Sequence, residues 1–159
     1  MRRRGVFAVL GLVAGLAWGC AAPQTRVQHY VVRPVPPKAV LKLALAQLGK
    51  PYAYGGDNPH EGFDCSGLVY WCYHQFHSNL PRLASEQYHA GQAVEKGDLR
   101  AGDLVFFDTA SGRKKPAHVG IMLNRDRFIH APAGGEPVRE DELRNNYWKK
   151  TYYGARRIE

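Results

Sequence analysis

The run Gly62-Phe63-Asp64-Cys65-Ser66-Gly67-Leu68-Val69-Tyr70 constrains this chain more than any other stretch. A polar, Gly-flanked segment breaks directly into an apolar pattern. Leu68, Val69, Cys72 and Phe76 then recur near the helical period, which predicts a helix from about Cys65 to about His77. Asp64 is a good N-cap type. Cys65 thereby falls in the first turn, where unpaired N–H groups and the helix dipole favour an anion. The expected consequence is a lowered thiol pKa and a larger share of the reactive thiolate. The competing reading is a small core residue, the usual fate of a free cysteine. A nucleophilic cysteine also needs a histidine from elsewhere in the chain.

The other two cysteines do not compete for that role. Cys72 lies seven residues after Cys65 on the same expected helix, roughly 10 Å away at the helical rise. That separation is too large for a disulfide, and Cys72 is expected to pack in the core. Cys20 closes a leader. Residues 1–19 read as an export signal, with Arg2, Arg3 and Arg4 followed by the apolar stretch Gly5 to Trp18, too short for a comfortable membrane span. Gly19 before Cys20 resembles a bacterial lipoprotein box. That resemblance implies lipidation at Cys20 and membrane anchoring by acyl chains, with no spanning helix. The expected location is the cell envelope, on the periplasmic side, at the outer membrane in a Gram-negative cell. Residues 20–37 carry four prolines and read as an extended tether, leaving 38–159 as a single folded domain.

Charge narrows the partners only slightly. The chain has a formal charge of +8. Without the three leader arginines, 19 basic residues face 14 acidic ones, a balance that suits an anionic partner. Nucleic acid is not expected, because neither aromatic-basic interleaving nor zinc-ligand spacing is present. A carboxylate- or phosphate-rich polymer fits equally well. No cofactor and no metal are expected, since His-Glu-x-x-His and related spacings are missing.

The domain changes period half-way. An apolar helical face spans roughly 38–49 and ends at Gly49. Residues 50–59 form a loop with Tyr52 and Tyr54, Gly-Gly and Asn-Pro. A break at Leu80-Pro81-Arg82 follows the Cys65 helix, and a short helix runs from Ser85 to near Gly91. Strands are then expected at Gly102–Asp108, buried on both faces, at His118–Leu123, at Arg127–Ala131 and at Tyr152–Ile158. Helices first and antiparallel strands afterwards give an α+β fold, with the helices packed on one sheet.

His118 and His130 are the candidates to serve Cys65. With a three-residue loop at 124–126, opposed residues on the two strands sum to 250, so His118 faces residue 132 and His130 is its diagonal neighbour on the same face. A cysteine to attack a carbonyl carbon, a histidine to take and return the proton, and a polar group to hold that histidine make up a thiol hydrolase. His29, His60, His74, His77 and His89 are read as ordinary surface or core residues. The N–H of Cys65 is a candidate oxyanion donor.

Six motifs then coincide in order and spacing: Pro51-Tyr52-Ala53-Tyr54-Gly55-Gly56, Phe63-Asp64-Cys65-Ser66-Gly67-Leu68-Val69, Leu80-Pro81-Arg82, Gly102-Asp103-Leu104-Val105-Phe106-Phe107, His118-Val119-Gly120-Ile121 and Phe128-Ile129-His130-Ala131. Together they resemble the NlpC/P60 cysteine peptidases over roughly residues 38–158. The resemblance implies a papain-like fold and hydrolysis of an amide bond in peptidoglycan stem peptides, commonly γ-D-glutamyl–meso-diaminopimelate. It implies Cys65 as nucleophile, His118 as general base and His130 as the orienting residue. On the substrate side it implies Tyr52, Asp64, Ser66 and Arg82. A monomer is expected. Two other readings stay open: a catalytically inactive wall-binding lipoprotein, and an amidase or transpeptidase using the same thiol on another bond of the wall.

Overall fold

The computed structural model describes Tyr30, residues 32–109 and residues 115–159. The leader, Cys20, the first part of the tether and His29 lie outside the described residues. In chain order the elements are α1 (Pro37–Leu45), β1 (Asp57–Asn58), β2 (Gly62–Phe63), α2 (Cys65–His74), α3 (Ala84–Gln87), β3 (Gln92–Ala93), a 3-10 turn (Lys96–Asp98), β4 (Leu104–Phe107), β5 (His118–Met122), β6 (Arg127–His130), β7 (Arg139–Glu142), α4 (Asn146–Thr151) and β8 (Tyr152–Arg157). β1 and β2 pair by themselves, and the others form an antiparallel sheet in the order β3-β8-β4-β5-β6-β7.

The α+β expectation holds, and the sheet carries cores on both faces. On one face α1 and α2 cover Leu104, Phe106, Val119, Ile121 and Ile129 through Val40, Ala44, Leu68, Val69 and Cys72. On the other, Trp148 of α4 and Leu143 cover Val105, Phe107, Met122 and Phe128. β4 is therefore buried on both faces, as its unbroken apolar run requires. β5 and β6 pair Ile121 with Ile129 and Met122 with Phe128. Both pairs sum to 250, the register set by a three-residue connection. Side chains alternate along a strand, so His118 and His130 go to the face of Met122 and Phe128. They lie beneath α4.

The N-terminal boundary differs from the expected one. α1 opens at Pro37, whose fixed φ and missing N–H suit a first helical turn. Ahead of it, Tyr30 bridges to Ala90, Val32 and Val35 are buried, and Ser78 Oγ donates to the Arg33 carbonyl at 3.1 Å. The described end of the proline-rich stretch is thus seated on the domain, because its two valines have an apolar surface to cover. Among the described residues, no helix is long and apolar enough to cross a membrane.

Candidate active site

Cys65 is the first residue of α2, and Asp64 caps that helix by accepting from Gly67 N–H at 2.6 Å. The same carboxylate also accepts from Gly55 N–H at 3.1 Å and from both arms of the Arg82 guanidinium, at 2.9 and 2.8 Å. Arg82 donates as well to Ser66 Oγ at 3.0 Å and to the Gly56 carbonyl at 3.1 Å. Asp64, Ser66 and Arg82 all line the cleft beside Cys65, where the resemblance puts the substrate. Their polar atoms nevertheless meet one another, and together they brace the turn that presents the thiol. A fork of fixed geometry is what lets one side chain hold a carboxylate, a hydroxyl and a carbonyl at once.

The cleft has a volume of about 660 Å³ and is walled by Tyr52, Tyr54, Leu83 and Lys115 as well. Tyr52 is partly buried, and burial together with the neighbouring Cys65 and Asp64 raises its hydroxyl pKa. Tyr54 is 96% exposed, and both loop tyrosines line the cleft.

Behind the cleft lies a buried histidine pair. His118 Nε2 and His130 Nδ1 are 2.8 Å apart, with the rings nearly perpendicular. Trp148 stacks on His118 at 5.3 Å and meets His130 edge-on at 5.0 Å. Gly120 makes this approach possible, since a Cβ there would lie 2.6 Å from Phe128 Cδ2 and 3.3 Å from His130 Cβ. His130 Nε2 in turn lies 3.1 Å from Asp141 Oδ2, an oxygen that also accepts from Trp148 Nε1 at 2.9 Å and from Arg139 Nη2 at 3.2 Å.

The electrostatics depart from the expectation for the thiol. Burial pushes Cys65 up to about 11, and the Asp64 carboxylate adds to the rise, while N–H groups of Val119, Ser66 and Cys65 itself pull the other way. The helix terminus does face the sulfur, but loss of hydration outweighs it. Burial also lowers both histidines, with the Asp141 carboxylate opposing the shift in each. The resting site therefore holds a neutral thiol beside neutral imidazoles, and proton transfer belongs to the reaction itself.

The structure brings Cys65, Tyr52, Asp64, Ser66 and Arg82 into one cleft and His118 and His130 into one pair. α2 packs on β5, the strand that carries His118, so the two groups lie on adjoining elements. Asp141 and Trp148 were not anticipated. Asn145 before an aromatic pair was a usable N-cap signal for α4, and Asn145 Oδ1 does accept from Tyr147 N–H at 2.9 Å.

A family model for NlpC/P60 matches residues 49–157. The chain belongs to the NlpC/P60 family. Its sequence is 42% identical over 124 residues to the murein DD-endopeptidase MepH of Escherichia coli strain K12, covering 76% of this chain and 45% of that protein. It is 40% identical over 112 residues to the bifunctional muramidase/DL-endopeptidase CwlT of Bacillus subtilis strain 168, covering 70% and 33%. The chain thus spans less than half the length of either relative. Among solved structures, the NlpC/P60 domain of the peptidoglycan hydrolase SagA superposes with a TM-score of 0.67 at 30% identity, covering 78% of this chain and all of that domain, 100%. The NlpC/P60 fold expected from the motifs is the one observed.

Proposed function

We propose that this chain is a thiol endopeptidase that hydrolyses an amide bond in peptidoglycan stem peptides. The observation that carries the reading is Cys65 at the start of α2 on the wall of a cleft, with β5, the strand of the buried His118–His130 pair held at 2.8 Å, packed against that helix. His118 takes the thiol proton as the Cys65 sulfur attacks the carbonyl carbon. The N–H groups at the start of α2 receive the developing oxyanion. His118 then gives the proton to the leaving amine, and water resolves the thioester in the reverse sense. His130 holds the ring of His118.

The family resemblance favours the γ-D-glutamyl–meso-diaminopimelate bond, and the name of CwlT, a DL-endopeptidase, agrees with a DL linkage. The name of MepH, a murein DD-endopeptidase, favours a DD bond instead. The leader and Cys20 support export and lipid anchoring in the envelope, on the periplasmic side.

The deciding experiment is a digest of isolated peptidoglycan by the full chain and by Cys65→Ala, with products weighed by mass spectrometry. New fragments from the unsubstituted protein alone are expected, and their masses identify the bond. A folded protein that binds the wall and releases nothing would replace this reading with that of a binding lipoprotein.

A further inference from the structure

Three side chains, His118, His130 and Asp141, form one hydrogen-bonded line that ends at a carboxylate on β7, and only the two histidines have roles in the reading above. We propose that Asp141 is a positioning residue: through His130 it locks His118 in the tautomer whose Nδ1 lone pair is free to take the Cys65 proton. The proposal rests on the thiol reading of the site.

Donors and acceptors along the line fix the tautomers. An ionised carboxylate only accepts. Asp141 is ionised, with its pKa lowered by its bonds to His130 and Trp148 against the opposing effect of burial. Three donors converge on its Oδ2, one of them His130 Nε2. His130 therefore carries its proton on Nε2. A neutral imidazole has one donor and one acceptor, so His130 Nδ1 is the acceptor. The 2.8 Å contact then requires His118 Nε2 to be the donor. The bare nitrogen of His118 is Nδ1, the one not engaged by His130.

Reversing the chain would turn the His130 Nε2 lone pair toward the carboxylate and put a proton on His118 Nδ1, which then could not accept from the thiol. Burial makes that reversal costly, because His130 is fully buried and has no water to repair the mismatch. Charge points the same way. When His118 becomes an imidazolium, the Asp141 carboxylate, one imidazole removed, favours that charge. The other charged group facing Asp141 is Arg139, which is half-exposed at its edge.

Two measurements test the role, and neither needs peptidoglycan, so failure of the substrate reading would not be mistaken for failure of this one. Long-range proton–nitrogen spectra of the full chain should show His118 and His130 each protonated at Nε2 and bare at Nδ1. A wild-type His118 protonated at Nδ1 overturns the proposal whether or not any variant folds. The second measurement is the alkylation rate of Cys65 by iodoacetamide at neutral pH, located by peptide mapping with thermal melting alongside. Asp141→Ala should slow it on the order of tenfold to a hundredfold, up to the low end of what a general base contributes, because the base itself remains. Asp141→Asn, which keeps the acceptor oxygen, should recover part of the rate. In a His130→Ala background, Asp141→Ala should add no further loss, because the carboxylate acts through that ring. A full additional loss in that background, or an unchanged rate in the single variant, overturns the proposal.

Discussion

Gly67→Ala reverses the ordinary sign of a glycine-to-alanine change in a helix. Gly67 is the third residue of α2 and has no left-handed φ, so its backbone accepts alanine. Helix propensity alone would then stabilise the variant by about 0.5–1 kcal/mol. Packing opposes this. A Cβ at Gly67 would lie 2.0 Å from the Gly56 carbonyl oxygen, 2.9 Å from Arg82 Nη2 and 3.0 Å from Asp64 Oδ1. Reaching even a 3.0 Å contact with that oxygen moves the helix and the loop about 1 Å apart, the kind of overpacking that costs roughly 1–3 kcal/mol. The Gly56 carbonyl also accepts from Asp64 N–H at 2.9 Å and from Arg82 Nη2 at 3.1 Å. Losing both bonds adds about 1–3 kcal/mol, so the net result is a destabilisation of roughly 2–4 kcal/mol. In urea unfolding the midpoint should fall at unchanged slope, and Tm should fall by roughly 5–15 °C. Hydrolysis should drop further, on the order of a hundredfold, because Cys65 moves with the turn. A midpoint equal to or above that of the parent would refute the reasoning, leaving Gly67 as a simple propensity defect.

Two further outcomes follow from the same geometry. Arg82→Lys should destabilise by about 1–2 kcal/mol, because a single ammonium cannot replace the four hydrogen bonds of the fork and the side chain is partly exposed; thermal melting as high as the parent's would show the fork to be dispensable. Stability should fall on acidification from pH 7.5 to 5.5. The unfolded chain protonates His118 near the ordinary imidazole value of 6.5, while the folded site keeps it neutral down to about 3, so stability is complete above 6.5 and is lost below it. That difference is about 1.4 kcal/mol from His118 by pH 5.5, with His130 adding in the same direction. Equal urea midpoints at the two pH values would contradict buried neutral histidines.

Local rules made part of this site legible. Asp64 was readable as an N-cap because the cap is a contact three residues long, and it bonds Gly67 N–H. His118 and His130 were readable as neighbours because a three-residue connection sets the register of two adjacent strands, and side chains alternate along each. The free thiols were readable from helical rise alone. β7 was not, because Arg139-Glu140-Asp141-Glu142 is an edge strand with no apolar alternation to betray it. α4, with six residues, is too short to show a period.

Spacing along one or two adjacent segments was enough to read the family, the fold class and the choice of Cys65, His118 and His130 as candidates. Only the tertiary structure decided the state of those groups. Cys65 is partly buried by the residues packed around it, and lost hydration then outweighs the helix terminus and raises the thiol instead of lowering it. Asp141 and Trp148 reach the histidines only because β7 and α4 fold back over the far face of the sheet. Burial and hydrogen-bond direction are properties of what surrounds a residue from all sides, and a linear pattern records only what lies before and after it.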